Sequence, residues 1–313
     1  MHADASRHNA VSYKRLRELE TQLQAEIEEL FRLSEQSDQR EIPDGLVVRE
    51  EMVRREDRLA RLAKAKAVLE TRATERAAAE QAEYEAKLAQ RAERERTTGR
   101  RPGGRPPTPP VPGPRDGDQY NFTDPESRIM KNSSDQGVNQ DYNAQVAVDQ
   151  QSLLIVGDSL SNHPNDQAEA IPTLDAIAPE VGTPEAAALD AGYFSATTIQ
   201  ALLDRGIAPY IATGRDPHHP SWKERFAAEP APPPPDASLT VQMAYQLRTA
   251  IGKAVYGARK STVEPVIGII KEVLGFRQFS LRGLGAAAGE WSLVCVAWNL
   301  KRLHVLCKGA LCL

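Results

Sequence analysis

The sequence contains little of what stabilises secreted or membrane-spanning proteins. It has 3 cysteines in 313 residues, and a small, odd number suits a reducing compartment better than a disulfide framework. The apolar run at residues 291–298 is too short to cross a bilayer and predicts a buried helix. Residues 1–6 are polar and do not predict a signal peptide. These features exclude a disulfide-stapled or transmembrane fold, and we expect a cytoplasmic protein.

An excess of positive charge is also missing from the chain as a whole. The formal net charge is −4, so the whole chain is not a basic nucleic-acid binder. The charge is uneven, however, because ten basic residues face three glutamates from Leu239 onward. Local charge decides the attraction to a phosphate backbone. The last quarter of the chain is therefore the candidate for contact with a polyanion.

The first third of the chain predicts two long helices. Leucine or isoleucine recurs every three or four positions in residues 13–39, and a similar stripe opens residues 48–96. Pro43-Asp44-Gly45 predicts a turn between them. We interpret residues 13–96 as an antiparallel helical hairpin, a coiled-coil arm without chemistry of its own. Residues 97–118, rich in Pro, Gly and Arg, predict a flexible linker.

Strand and helix signals alternate after the linker. Apolar runs predict strands at residues 142–149, 152–158, 186–190 and 207–213, and helices are predicted at residues 166–178 and 195–204. This order predicts a layered α/β domain. We expect one sheet to contain Val146, Ile155, Leu189 and Ile211. A proline-rich segment at residues 214–250 is predicted to be inserted before the helical C-terminal part.

Glu264 stands within an apolar helical run. The apolar positions recur at three- and four-residue steps: Val263, Val266, Ile267, Ile270 and Leu274. A carboxylate beside a buried stripe costs free energy unless it is paired or binds a metal. The ordinary explanation is a surface ion pair with a neighbouring lysine or arginine. The basic residues that crowd this stretch also favour a polyanionic partner.

This stretch resembles the glutamate-bearing helix of the DDE transposases encoded by bacterial insertion sequences. The family helix has Tyr, Arg and Glu, followed by Lys seven residues after the Glu. Tyr256, Arg259, Glu264 and Lys271 match this pattern. Arg259 lies one residue further from the glutamate than the commonest spacing, and Lys260 occupies the usual position.

Asp190 is the second candidate acid. It follows a short predicted strand, and open α/β sheets bind ligands at the carboxyl ends of their strands. In isolation such an aspartate is more often a capping or loop residue. The segment at residues 189–195 resembles the second catalytic aspartate motif of the same transposases, and Tyr142-Asn143-Ala144-Gln145 resembles the entry to their core sheet. Asp141 stands where that family usually has Gly. The resemblance spans about residues 119–305 in ordered pieces.

The resemblance implies a ribonuclease-H-like fold, a mixed sheet flanked by helices, with an Asp-Asp-Glu triad that binds two Mg²⁺ ions, or Mn²⁺ in their place. Asp190 and Glu264 would be catalytic metal ligands. Five basic residues would bind DNA phosphates: Arg259, Lys260, Lys271, Arg277 and Arg282. Tyr193 and Tyr256 are interpreted as packing at the site, and Trp222 as a residue that stacks on a base. The implied partners are double-stranded DNA, namely the terminal repeats and the target, and a second copy of the chain, in a protein associated with the nucleoid.

The resemblance also predicts where the remaining aspartate lies. In the family it precedes an Ala-Asn-Ala-Ser segment, which Ala3-Asp4-Ala5-Ser6 matches here, so we expect it upstream of Met1. Residues 1–12 are then a remnant of the entry to the core. The core itself is predicted at residues 119–213 and 251–306, with residues 307–313 as a tail. We expect a transposase that cuts and joins DNA ends, of which this chain alone is inactive.

Two other functions stay open at this point. The chain is also compatible with a non-catalytic DNA-binding or regulatory fragment of a decayed transposase, and with a general metal-dependent nuclease of the same fold. The long helical arm together with the Tyr-Arg-Glu-Lys pattern favours a transposase over a general nuclease. An aspartate in the upstream reading frame, or its absence, would separate an active element from a decayed one.

Overall fold

The computed structural model describes residues 1–35, 46–101, 103–131, 137–214, 231–234 and 236–310. The chain divides into two units, one of His8–Phe122 and the other of Met1–Arg7 with Thr123–Leu313. The turn predicted at residues 43–45 and the proposed stacking residue Trp222 both lie outside the described residues. Within the described part of the chain, no helix has both the length and the apolar character needed to cross a membrane.

Two long helices form most of the unit at His8–Phe122. Helix α1 spans Tyr13–Glu35 and helix α2 spans Val48–Thr98. The buried residues of α1 are spaced by seven, two helical turns, and therefore share one face: Leu16, Leu23 and Leu30. The buried residues of α2 also lie on one face: Leu62, Ala65, Leu69 and Ala73. These faces pack against each other in one apolar cluster.

Ion pairs between the two helices show their relative direction. Lys66 Nζ lies 2.8 Å from Glu20 Oε2, and Arg55 Nε lies 2.7 Å from Glu26 Oε2. A later residue of α1 thus pairs with an earlier residue of α2, so the helices run antiparallel. The alternation of leucine and charge in the sequence produces this arrangement because one face of each helix is removed from water and the other is solvated.

The segment after α2 runs back along that helix. Arg76 donates to both carboxylate oxygens of Asp118 at 2.8 and 2.9 Å, and Arg115 donates to Glu80 at 2.7 Å. Strand β2 (Gln119–Asn121) then pairs antiparallel with strand β1 (Ala10–Ser12). Charged side chains of α2 therefore contact the last residues of the predicted linker, at Gly113, Arg115 and Asp118. Composition alone did not reveal those partners.

The other unit is mixed α/β, as predicted, with short strands. Strand β3 (Arg128–Lys131) pairs antiparallel with β4 (Val138–Asp141), and β5 (Asn143–Val148) pairs antiparallel with β6 (Ile155–Ser161). Strand β7 (Ala186–Leu189) pairs in parallel with β8 (Ala208–Ile211). The helices of this unit are α3 (Ala170–Asp175), α4 (Ala196–Asp204), α5 (Leu239–Arg248), α6 (Ala250–Glu272) and α7 (Leu284–Ala310).

The prediction of one shared sheet is wrong for the described residues. Val146 and Ile155 belong to the β5–β6 pair, whereas Leu189 and Ile211 belong to the β7–β8 pair. Each pair is a separate two-stranded sheet. Apolar patterning identified the extended segments, but it carries no information on which hydrogen-bond ladder a strand joins. A ribonuclease-H-like arrangement therefore does not follow from the strand pairing.

Strand β6 begins three residues later than predicted because a tight turn precedes it. The carboxylate of Asp149 accepts hydrogen bonds from the Ser152 amide and hydroxyl at 2.7 and 2.6 Å. Leu153 then adopts a left-handed backbone conformation with φ of 60°, which a non-glycine residue rarely adopts. The indole of Trp298 donates to the Leu153 carbonyl at 2.9 Å, which helps to hold this turn against α7.

Helix α7 packs one face against the β5–β6 pair. The indole nitrogen of Trp291 donates to the Gln145 carbonyl at 3.0 Å. The Asn299 side chain donates to the Ile155 carbonyl at 2.7 Å and accepts from its amide at 2.8 Å. Leu293 on the opposite face is 70% exposed. The prediction of a fully buried helix at residues 291–298 is thus wrong for that face.

The first residues of the chain lie between two other segments of this unit. The His2 amide donates to the Arg277 carbonyl at 3.1 Å, and the Phe279 amide donates to the His2 carbonyl at 2.8 Å. On the other side, the Ala3 amide donates to Gln140 at 2.9 Å and the Tyr142 amide donates to Met1 at 3.0 Å. Residues 1–3 therefore contribute backbone hydrogen bonds to the unit that contains the candidate acids.

Candidate active site at the end of strand β7

Asp190 directly follows strand β7. Its strand pairs in parallel with β8, so Leu189 lies opposite Ile211 in the register. The chain turns at once, because Asp190 precedes a 3₁₀ turn over Ala191–Tyr193. The side chain of Asp190 is 56% exposed. A short apolar strand thus delivers a solvent-accessible carboxylate at its carboxyl end, as the sequence predicted.

Glu264 lies on helix α6, which is held against the unit by one buried face. Thr262, Val266 and Ile270 are buried and spaced by four residues. Leu274, which the sequence placed in the same stripe, lies beyond the end of the helix and is 39% exposed. Glu264 is on the solvent side of this stripe and immediately precedes Pro265, which lies inside the helix. The helix therefore presents Glu264 to solvent from a fixed backbone.

Arg259 connects the two candidate acids. Its Nη1 atom lies 3.0 Å from Asp190 Oδ2, and its Nη2 atom lies 3.7 Å from Glu264 Oε1. The guanidinium also lies over the Tyr256 ring, 5.5 Å from the ring centre. The arginine side chain is only 14% exposed, and its Nε atom is buried without a hydrogen-bond partner. Tertiary structure thus brings Asp190 and Glu264 to opposite ends of one guanidinium group.

A hydrogen-bonded group of polar side chains lies beside Asp190. The Tyr193 hydroxyl donates to the Gln145 side chain, and the side-chain amides of Gln145 and Asn143 each donate to Asp166 Oδ1 at 2.9 Å. Burial raises the pKa of Tyr193 well above its usual value, and the charges of Asp166 and Asp190 raise it further. Tyr193 is therefore a neutral hydrogen-bond donor at physiological pH.

This polar group is the part of the site that sequence reasoning missed. The sequence places Asn143 and Gln145 only in a segment that resembles the entry to the transposase core sheet, and it gives no indication of a role for Asp166. Residues two apart on a strand point to the same face. The spacing of Asn143 and Gln145 on strand β5 therefore indicated that their side chains lie on one side of the sheet. Nothing in the sequence indicated that Asp166 would be their common acceptor.

Residues 235–304 match the family model of the transposase DDE domain. This match supports a DDE-type transposase. The matched residues include Arg259 and Glu264, whereas Asp190 lies outside them. No curated protein and no solved structure matches the chain.

Asp190 and Glu264 offer oxygen ligands of the kind that Mg²⁺ prefers. The guanidinium of Arg259 already occupies a position between them, which shows that a cation can contact both carboxylates. Both acids are more than half exposed, so an ion from solvent can reach them. Among the described residues, no group of three His, Cys, Asp or Glu side chains is arranged to hold a metal. The residues present therefore fit part of a divalent ion site, with two of its ligands.

The remaining predicted DNA-binding residues have different surroundings. Arg277 pairs with Glu272, and Arg282 pairs with Asp4 at 2.9 Å. Burial lowers the pKa of the Met1 amino group; the charge of Asp141 opposes this shift, and the positive charge of Lys271 adds to it. Lys260 is exposed beside Arg259 on α6. The structure thus joins only Arg259, of the five predicted residues, directly to the two acids.

Proposed function

We propose that this chain is part of a transposase that cuts and joins the DNA ends of an insertion sequence. The observation that carries the proposal is the contact of Arg259 with both Asp190 and Glu264, because it brings the two predicted acids together. The family match at residues 235–304 supports the same reaction class. The proposal includes a ribonuclease-H-like core. The separate strand pairs can belong to such a core if a further strand joins them.

In this proposal Asp190 and Glu264 are the metal ligands. Two bound Mg²⁺ or Mn²⁺ ions would lower the pKa of the attacking water or 3′-hydroxyl and stabilise the leaving oxygen. The residues of the chain position the DNA: Arg259, Lys260 and Lys271 donate to phosphates as charged groups. Tyr256 supports the Arg259 guanidinium from below its plane. Tyr193 keeps its proton and orders Gln145 beside Asp190.

The third acid of the triad is proposed on a strand that precedes the Ala3-Asp4-Ala5-Ser6 segment. This part of the proposal comes from the resemblance to the family. Support in the structure comes from the strand pairs, since β5–β6 and β7–β8 each have edges to which a further strand could bond. The proposed partner is the duplex DNA of the element ends and target, bound by two copies of the chain.

A second function is favoured by the same contact. Arg259 places a positive charge between Asp190 and Glu264 and pairs with both. A non-catalytic DNA-binding fragment would also have a positively charged side chain between these two acids. DNA binding needs the basic surface, whereas it does not need a metal ion. This alternative predicts DNA binding that is independent of divalent ions.

Cleavage of labelled element-end DNA tests the proposal. We expect Mg²⁺-dependent cleavage from the chain extended upstream through its first aspartate, and loss of that cleavage in Glu264→Gln with DNA binding retained. Glu180→Gln is the matched control, because Glu180 is exposed and lies in a separate 3₁₀ turn. Cleavage retained in Glu264→Gln would remove Glu264 from the site. Metal-independent binding without cleavage by the extended chain would favour the alternative.

A further inference from the structure

A basic cleft lies within the helical unit, away from the residues of the proposed active site. It has a volume of ≈ 610 Å³ and is lined by α1, α2 and the segments next to strands β1 and β2. Every lining residue belongs to the unit at His8–Phe122. A volume of this size is within the range of sites that hold a small molecule or one unit of a polymer. The sequence pattern of this arm predicted no chemistry.

The rim of the cleft carries mostly positive charge. Its lining includes four arginines and one histidine against a single aspartate: Arg15, Arg54, Arg58, Arg61, His8 and Asp57. The arginines on α2 follow at steps of four and three residues, so they lie along one helix face. This concentration contrasts with a chain whose net charge is −4. A local excess of arginine attracts phosphate groups, which arginine binds with two parallel hydrogen bonds.

The floor of the cleft is apolar and includes one aromatic ring. Val11, Leu19, Leu62 and Phe122 line it. The Arg61 guanidinium lies over the Phe122 ring at 5.8 Å from its centre, and Tyr120 packs edge-on against the same ring at 5.3 Å. Phe122 is half-buried, so part of its surface faces the cleft. An aromatic floor below an arginine rim suits a ligand with a flat ring and an anionic group.

The cleft is held open by well-packed residues. Val11 and Leu62 belong to the buried core between the two helices, and Leu19 packs against that core. Arg15 pairs with Glu18 at 3.1 Å, and Arg54 pairs with Glu51 at 2.6 Å, each on its own helix. These exposed pairs are weak and can exchange for a phosphate. Neighbouring glutamates therefore hold these two arginines of the rim in place, and both arginines stay exposed to solvent.

We infer that this cleft binds single-stranded DNA, with a phosphate at the arginine rim and an unstacked base against Phe122. Proteins that bind single strands combine a basic groove with aromatic residues on which bases stack. The inference goes beyond the proposed cleavage activity, because it places a second DNA contact on the other unit of the chain. It does not depend on Asp190, Glu264 or a metal ion.

Fluorescence anisotropy of the full chain with a labelled 20-nucleotide single strand tests the inference. Measurements in EDTA exclude any contribution from a metal site. We expect Arg58→Ala/Arg61→Ala to weaken single-strand binding about tenfold and to reduce the slope of log K against log salt by roughly one, as loss of phosphate contacts predicts. The matched control is Arg94→Ala/Arg96→Ala, which removes the same charge from α2 outside the cleft. We expect a change of less than about twofold there.

A duplex of the same sequence distinguishes base contact from backbone contact. Phe122→Leu is expected to weaken single-strand binding several-fold and to leave duplex binding unchanged, since stacking on an aromatic ring needs an unpaired base. Circular dichroism at 222 nm confirms that each variant keeps its helices. If Phe122→Leu unfolds, the comparison of Arg58→Ala/Arg61→Ala with its control tests the inference by itself. Equal weakening by the cleft and control variants, or weakening of duplex binding only, would overturn the inference. These binding measurements do not depend on whether Glu264→Gln loses DNA cleavage, so the two proposals can fail separately.

Discussion

Arg259 Nη1 lies 3.0 Å from Asp190 Oδ2, which joins helix α6 to the end of strand β7 across 69 residues of sequence. The same guanidinium reaches Glu264 at 3.7 Å. Arg259 is the least exposed member of the three, and its guanidinium lies over the Tyr256 ring, 5.5 Å from the ring centre. The two candidate acids are thus linked by a cation that belongs to the chain. Divalent ions that bind both acids must compete with it.

We expect Arg259→Ala to bind divalent ions more tightly than the wild type in the absence of DNA. Removal of the guanidinium frees both carboxylates, and exposed ion pairs of this kind contribute about 0–1 kcal/mol, so the gain should reach about fivefold. Binding of Mn²⁺ measured by electron paramagnetic resonance checks this. Lys260→Ala is the control for net charge, because Lys260 is the exposed neighbour on the same helix. An equal gain in both variants would contradict a specific role for Arg259.

The pairing of Asp118 with Arg76 should make the helical unit sensitive to acid. Burial opposes the charged form of Asp118, but the hydrogen bonds and charge of Arg76 outweigh it, and the pKa of Asp118 is lowered. A lowered pKa in the folded state contributes stability above the unfolded pKa of about 3.9, which is lost as pH falls through the folded pKa. We expect wild type and Asp118→Asn to differ in thermal stability at pH 7 and to converge as the pH falls through the lowered pKa of Asp118.

The test is thermal unfolding of both proteins between pH 7 and pH 2, followed by circular dichroism. Asp116→Asn serves as the comparison, because Asp116 is an exposed aspartate of the same segment. A wild-type advantage over Asp118→Asn that persists unchanged at pH 2 would show that the ion pair is not its source.

Trp291→Phe should destabilise the unit that contains the candidate acids. The change keeps an aromatic ring in the core but removes the donor to the Gln145 carbonyl, which the indole contacts at 3.0 Å. Loss of a partly buried hydrogen bond of this kind costs about 0.5–1.5 kcal/mol. Urea unfolding measures the effect. Leu293→Ala on the exposed face of the same helix should change stability by less than about 0.5 kcal/mol, and a larger effect there would show that this face is covered.

Leu62→Ala should loosen the helical unit strongly. Leu62 is 3% exposed between α1 and α2, and deletion of a buried leucine side chain costs about 2–5 kcal/mol. Leu88 on the same helix is 41% exposed, so Leu88→Ala should cost less than about 0.5 kcal/mol. Thermal unfolding monitored by helical circular dichroism compares the two. Similar losses at both positions would mean that the predicted core of the hairpin is not where its stability resides.

Local patterning located the main helices and several of the strands of this protein. Leucine spacing located α1 and α2, and the apolar run before Asp190 located strand β7, because burial on one face imposes a period that the sequence must carry. The late start of β6 was not predictable in the same way. It depends on the Asp149 carboxylate capping a turn at Ser152, a hydrogen bond between side chain and backbone that propensity does not encode.

The candidate site also has features that the sequence predicts and features that depend on the tertiary structure. The resemblance of the segments around Asp190 and Glu264 to transposase motifs predicts two acids of a DDE-type site, since each acid lies in a short motif that can be recognised along the chain. Their link through Arg259, the Tyr193–Gln145–Asp166 group and the basic cleft of the helical unit came only from the tertiary structure. Each joins side chains from distant segments, and their distances depend on how the strands pair and how the helices pack, which local sequence does not specify.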